Sequence, residues 1–319
     1  MNTLRVGTRR SMLAMTQTQQ IIEALQPYLG DHQKIEKKEI VTKGDRILDV
    51  SLSKVGGKGL FVSEIEQVLL AHEIDFAVHS MKDVPAKLAP GLCIAAIPKR
   101  QDPRDLLITQ SVTHIEDLPS HARVGTSSLR RLAQLKKIRP DLVIEPLRGN
   151  IDTRLRKLEE FDAIILAVAG LARMGWWKDE QLIVEQKRYI ASPMPTSLMI
   201  PAVGQGALAI ECREDDAAMI RLVASLHDET TALCVYQERA FLQAVGGSCE
   251  IPVGAYSDVL SDNQHQFQAI IGSADGRELK VEKGILDRRP QSGEVFARTM
   301  LQNGAAKLLT TWSSQNGNT

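Results

Sequence analysis

Cys249, in the stretch Gly246-Gly247-Ser248-Cys249-Glu250, is the cysteine of this chain best placed to react. It follows two glycines at a predicted helix–strand junction, where a thiol can be reached and can attack an electrophilic carbon. Cys93 in Leu92-Cys93-Ile94-Ala95, Cys212 at the end of an apolar strand and Cys234 in an apolar helix are expected to be buried and inert. A second group of residues concerns anions. Helix N-termini carry partial positive charge, so basic side chains are disfavoured there. Yet Arg9 and Arg10 flank the first predicted helix start, and Arg130 and Arg131 lie in the opening turns of the helix begun by Thr126-Ser127-Ser128. Arg148 and Arg154 bracket another start at Gly149-Asn150. Any one of these arginines, taken alone, is best read as extending into solvent. Three such sites together point to anion binding by helix N–H groups, serine hydroxyls and guanidinium forks. Phosphate would suit one site; several sites suit a ligand with several carboxylates, each gripped bidentately.

The elements that must carry these residues alternate between strand and helix over the first two-thirds of the chain. Leu4 to Thr8 reads as a strand, followed from about Ser11 by a helix with Ile21, Ile22, Leu25 and Leu29 as its apolar stripe. Ile35 to Thr42 alternates as an exposed strand does, Gly56-Gly57-Lys58-Gly59 is a loop, and Phe61, Ile65, Val68 and Leu69 fall at helical spacing before strand-like Ile74 to Val78. The region from about 104 to 170 repeats this grammar, and Arg5-Val6-Gly7-Thr8 is echoed by Arg123-Val124-Gly125-Thr126. The pattern predicts an α/β protein of two related lobes with mainly parallel sheets, and a ligand lying between them. Proline-punctuated segments at 98–103 and 192–201 are the expected crossings, and strand-like Ala207 to Glu211 returns the chain to the first lobe. The last third reads as two helices near 215–226 and 229–245, strand-like Ile251 to Tyr256, a hairpin turning at Ser273-Ala274-Asp275-Gly276 and a helix from about Glu294 to Thr311. It is expected to form a small α+β domain. The expected boundaries are 1–98 with 203–222 for the first lobe, 103–196 for the second and 227–319 for the third domain.

Composition limits the partners. Lys plus Arg and Asp plus Glu are equal at 39 each in 319 residues, which disfavours non-specific nucleic-acid binding. No signal-like N-terminus or membrane-length apolar run is present, and the cysteines show no Cys-x-x-Cys spacing. A cytoplasmic protein with no metal site, no nucleic acid and no membrane partner is the expectation.

Six stretches are specific. They are Lys54-Val55-Gly56-Gly57-Lys58-Gly59-Leu60-Phe61, His79-Ser80-Met81-Lys82-Asp83-Val84-Pro85, Val124-Gly125-Thr126-Ser127-Ser128-Leu129-Arg130-Arg131, Leu147-Arg148-Gly149-Asn150, Pro201-Ala202-Val203-Gly204-Gln205-Gly206 and Gly246-Gly247-Ser248-Cys249. In these, in family order and over nearly its whole length, the chain closely resembles the porphobilinogen deaminase (hydroxymethylbilane synthase) family. The resemblance implies two lobes like those of periplasmic binding proteins and a third domain holding a cofactor cysteine. It implies a dipyrromethane cofactor joined by a thioether to the residue matching Cys249, onto which four porphobilinogen units are condensed with loss of ammonia. Hydrolysis then releases the linear tetrapyrrole. The expected partners are therefore porphobilinogen and the growing oligopyrrole, and the expected state is a monomer.

The same match places the catalytic carboxylate at Asp83. Loss of ammonia leaves an electrophilic azafulvene, which the free α-carbon of the chain attacks before losing a proton; one positioned carboxylate serves each of these steps. Without the motif, Asp83 would read as a solvated loop residue after a strand. Arg9, Ser11, Arg130, Arg131, Arg148 and Arg154 are implied contacts of acetate and propionate groups. Ser80, Lys82, Thr126, Ser128 and Gln17 are additional contacts, with Arg173 a less direct one. Phe61 reads equally as a ring that stacks on a pyrrole or as a core residue, and Lys54 and Lys58 as part of a lid or as a solvated turn. Two departures stand out: Met12 where the family commonly has proline, and a longer segment at 176–200. Two other readings compete. An anion receptor without catalysis leaves Asp83 and Cys249 without roles, and a cysteine hydrolase using His79 or His227 lacks a nucleophile motif.

Overall fold

The computed structural model describes residues 3–43, 62–246, 251–273 and 275–309, and these divide into two compact units. The first comprises the chain up to Gln101 with Gly206–Ala232; the second comprises Asp102–Gln205 with the chain from Leu233 onward.

In the first unit, β1 (Thr3–Arg9) runs into α1 (Met12–Leu25), and β2 (Lys34–Ile40), α2 (Ser63–Leu70), β3 (Phe76–Ser80) and β4 (Leu92–Ala96) follow. Its five-stranded sheet has the order β2-β1-β3-β12-β4, where β12 is Leu208–Arg213. The β1–β2 and β1–β3 pairs are parallel, as strand–helix alternation requires, while β12 lies antiparallel between β3 and β4 because it arrives on a later pass of the chain. Helix α1 begins where Ser11, in extended conformation, accepts a hydrogen bond from Ala14 N at 3.3 Å, satisfying one of the orphan donors of the first turn. Ile21, Ile22 and Leu25 are buried against Val6, Phe76 and Val78. The helix stops at Leu25 because Pro27 lies in the 3₁₀ turn Gln26–Tyr28, so Leu29 lies beyond it rather than on its stripe.

The second unit is built on β5 (Asp105–Thr109), β6 (Arg123–Gly125), α3 (Leu129–Ile138), β7 (Val143–Glu145), α4 (Ile151–Arg156), β8 (Ala163–Ala167) and α5 (Val168–Arg173). The longer segment continues the sheet as three short strands, β9 (Trp177–Lys178), β10 (Gln181–Val184) and β11 (Lys187–Pro193), giving the order β7-β6-β8-β5-β11-β10-β9. Here β6–β7 and β6–β8 are parallel, and β5, β11, β10 and β9 add antiparallel pairs. Ser192 and Pro193, expected within a crossing, are paired to Leu107 and Leu106 as part of β11. Helix α6 (Ala217–Ala224) covers the first sheet, and α7 (Glu229–Ala244) leads to the last part of the chain. There β13 (Val253–Ser261), β14 (Gln264–Gly272) and β15 (Leu279–Leu286) form an antiparallel meander, followed by α8 (Ser292–Met300). Phe241, Phe267 and Phe296 meet at centroid distances of 5.0 to 6.3 Å at the centre of this α+β core. The last helix is kinked: α8 ends at Met300, a π-helical turn Leu301–Ala305 follows with Gly304 at φ 104°, and helical backbone resumes to Leu309, where the described residues end.

Candidate active site

Strand β3 delivers the catalytic candidate. Its end at Ser80 passes into the 3₁₀ turn Met81–Asp83, where Met81 is buried and anchors the turn while Lys82 and Asp83 are exposed. The strand itself lies two residues later than its predicted span, since Ile74 is buried before the strand begins. Arg9 ends β1, Ser11 caps α1 and Gln17 is buried nearly two turns further, its amide donating to Ser80 Oγ at 2.9 Å. Arg10 is turned away, paired at the surface with Glu39 at 3.2 Å. Arg9, Ser11, Gln17, Ser80 and Asp83 thus share the wall of one small, partly open cavity of about 50 Å³, together with His79.

His79 opens the same specific stretch that carries Asp83 and lies next to Ser80 on β3. It is buried, and its Nε2 lies 2.8 Å from Glu211 Oε2 of β12. The other oxygen, Glu211 Oε1, is buried and accepts no hydrogen bond among the described residues. Glu66 of α2 shares this buried acidic environment: burial pushes its carboxyl up, opposed by a hydrogen bond from Ala89 N, and the neighbouring Glu211 pushes it up further.

The second unit holds the other arginines. Ser128 caps α3, accepting from Arg131 N at 3.4 Å, which repeats the role of Ser11 one position earlier relative to the echoed strand. Thr126 Oγ1 accepts from Ser128 N at 3.2 Å and so shapes the turn before the cap. Arg130 and Arg131 are buried, and both meet one carboxylate that sequence reasoning missed: Asp105, at 2.8 Å from Arg130 Nη1 and 2.7 Å from Arg131 Nη2. Arg130 also donates to Ile200 O and Arg131 to Ile165 O, each at 2.7 Å. Gln205 Nε2 donates to Asp105 Oδ1 at 3.0 Å. Burial alone would raise the Asp105 carboxyl, but the two guanidiniums more than reverse this and hold it well below the usual carboxylate range. Burial lowers Arg130, and Asp105 offsets only part of that. Arg148 lies just before Gly149, whose φ of 112° a side chain would disfavour and whose carbonyl accepts from Arg154 Nε at 2.7 Å. Arg173 ends α5 buried, which brings its guanidinium down to about 10.

Burial also raises Cys93 and brings Cys212, its partner across β4 and β12, up to about 12, so neither readily forms a thiolate. Cys249, Lys54, Lys58 and Phe61 lie outside the described residues.

Comparison with known proteins extends these observations to the whole chain. A family profile described as porphobilinogen deaminase, dipyromethane cofactor binding domain, matches residues 4–221, and one described as porphobilinogen deaminase, C-terminal domain, matches 232–302. The porphobilinogen deaminase of Listeria welshimeri serovar 6b is 52% identical over 306 residues, covering 95% of this chain and 96% of that one. That of Bacillus pumilus is 49% identical over 312 residues, covering 97% of each. Among solved structures, a putative methionine-binding lipoprotein from Bacillus subtilis overlaps with a TM-score of 0.41 at 13% identity, over 72% of this chain and 92% of that one. The fold assignment rests on the sheets described above and not on that overlap. Matched over both of its parts by the family's profiles and nearly end to end by these relatives, the chain belongs to the porphobilinogen deaminase family.

Proposed function

We propose that this chain is a transferase that condenses four porphobilinogen molecules on a dipyrromethane primer anchored at Cys249, and that Asp83 handles the protons. The observation that carries the reading is the gathering of Asp83 with Arg9, Ser11, Gln17 and Ser80 around one cavity. Each condensation removes ammonia from one carbon and a proton from another. The acid form of a carboxyl can donate to the departing amine, and the carboxylate so formed can accept the proton from the attacking carbon. Asp83 then ends each cycle in the form in which it began it. Between the two transfers its negative charge offsets positive charge on pyrrole nitrogen.

The lining suits a polycarboxylate. Arg9 offers a guanidinium fork, the N-terminus of α1 offers partial positive charge, and Gln17 and Ser80 are already locked to each other by a hydrogen bond. When bound, dipyrromethane supplies the first free carbon for attack; the acetate and propionate groups are the features these donors would hold. Arg130, Arg131, Arg148, Arg154 and Arg173 of the second unit, with Thr126, Ser128 and Lys82, are proposed as further contacts. We also propose a division into three parts at 1–98 with 203–222, 103–196 and 227–319, a monomeric state and a cytoplasmic location. No helix among the described residues is long and apolar enough to cross a membrane, which accords with that location without fixing it.

Intact mass tests the reading. Protein from cells that make porphobilinogen should exceed its sequence mass by two pyrrole units, and Cys249→Ala should abolish the excess. An unmodified mass for the parent protein would overturn the assignment of Cys249.

A further inference from the structure

Two guanidiniums from adjacent residues, both buried, repel each other and lose hydration; they can be held side by side only if something anionic lies between them. In this chain that anion is Asp105, the first residue of β5, which is fully buried. Its two oxygens are divided between the arginines, Oδ2 taking Arg130 Nη1 at 2.8 Å and Oδ1 taking Arg131 Nη2 at 2.7 Å and Nε at 3.2 Å. One carboxylate against two guanidiniums leaves the group with one net positive charge. A closed structural ion pair would be neutral; among the described residues this arrangement is short by one anion.

The support extends further. Gln205 donates to Asp105 Oδ1 and, at 2.7 Å, to Pro103 O, so the loop 201–206 is tied to the same carboxylate. The loop is held in turn by Glu238 of α7, which is fully buried and whose Oε2 accepts from Gly204 N at 2.7 Å while Oε1 accepts from Ser257 N at 3.0 Å. Helix α7 continues to Ala244, five residues before Cys249. Buried polar links of this kind have few alternative arrangements, so they fix side-chain direction as well as stability.

We propose that Asp105, braced by Gln205, is a positioning residue for the reaction: it holds Arg130 and Arg131 in the orientation that receives one ligand carboxylate and leaves the charge needed to bind it. The inference rests on the reading that this arginine pair grips carboxylates of porphobilinogen or of the bound oligopyrrole. A purely structural Asp105 would affect the amount of folded enzyme and its melting temperature, but not the affinity of the enzyme that remains. A positioning residue must affect binding in the folded fraction.

The test uses the purified enzyme carrying Asp105→Asn, Gln205→Met or Arg130→Lys, with KM and kcat for porphobilinogen measured beside the fraction carrying the two-pyrrole mass. Asp105→Asn should raise KM by about ten- to a hundredfold, the range that outer partners command at other charged sites, or should cut cofactor loading comparably. Gln205→Met, which keeps the volume and loses the donor, should move the same quantity less. Unchanged KM and loading in folded Asp105→Asn and in Gln205→Met would overturn the proposal. If Asp105→Asn fails to fold, Gln205→Met decides alone. Unchanged KM and loading in Arg130→Lys would instead remove the arginine-clamp reading on which the proposal rests.

Discussion

A carboxylate that must both give and take a proton cannot be replaced by an amide, which does neither. Asp83→Asn keeps the size and much of the hydrogen bonding of the turn Met81–Asp83, so folding and cofactor attachment should survive. Condensation should fall by about a hundredfold or more, the span general acid–base groups usually command. A two-pyrrole mass combined with near-parental turnover would refute the role of Asp83. Glu66 makes a prediction of a different kind. Its carboxyl is raised above 4.5 in the folded chain, so the folded state holds this proton more tightly than the unfolded one. The resulting stabilisation is complete below the unfolded pKa and is lost as pH rises through the folded one. Glu66→Gln should remove that decline, so unfolding in urea at a series of pH values should show a flatter dependence for the variant on the alkaline side of 4.5. At this scale the sequence was informative in one direction only. Motif and position pointed to Asp83 and the arginines as candidates, whereas the carboxylates that meet the arginines and His79 were not readable. Asp105 stands 25 positions from Arg130, and Glu211 stands 132 from His79; such pairings depend on sheet register and burial, which local spacing does not encode.

The two serine caps are the element-scale counterpart of the echoed sequence. Ser11 and Ser128 each start a helix whose first turn lacks an acidic residue and has a basic residue close by. Losing the hydroxyl in Ser11→Ala or Ser128→Ala should cost about 1 kcal/mol apiece, read as a shift in urea midpoint. If capping is the whole role of each serine, KM should remain unchanged; a rise in KM would reveal ligand contact as well. The elements themselves were largely readable because α1 carries an apolar face and the strands of both sheets are bounded by turn residues. The errors have physical origins. Ile74 is as buried as the strand it precedes, so hydropathy could not separate them. Segment 192–201 read as a crossing because of its prolines, and only the antiparallel pairing of Ile190–Pro193 onto β5 reveals that its start belongs to a strand.

For the whole molecule, the important fact is the place of β12. It is the last strand of the first sheet to be made, yet it sits inside it, between β3 and β4, and Glu211 reaches His79 from there. On a ribosome, therefore, residues 76–80 and 92–96 emerge well before the strand that joins them, and more than a hundred residues of the second unit are synthesised in between. Until then two strand edges are open to wrong partners, the exposure that makes non-local sheets slow to fold and prone to aggregate. A chain ended at Gln205 should leave unprotected in hydrogen exchange those amides of Phe76–Ser80 that face β12, while those on the β1 side keep their partner strand, although every residue of the Asp83 turn is present. The topology thus imposes an order on synthesis: the turn that carries Asp83, the proposed catalytic carboxylate, is encoded in the first third of the gene but is completed only after the second third has been translated.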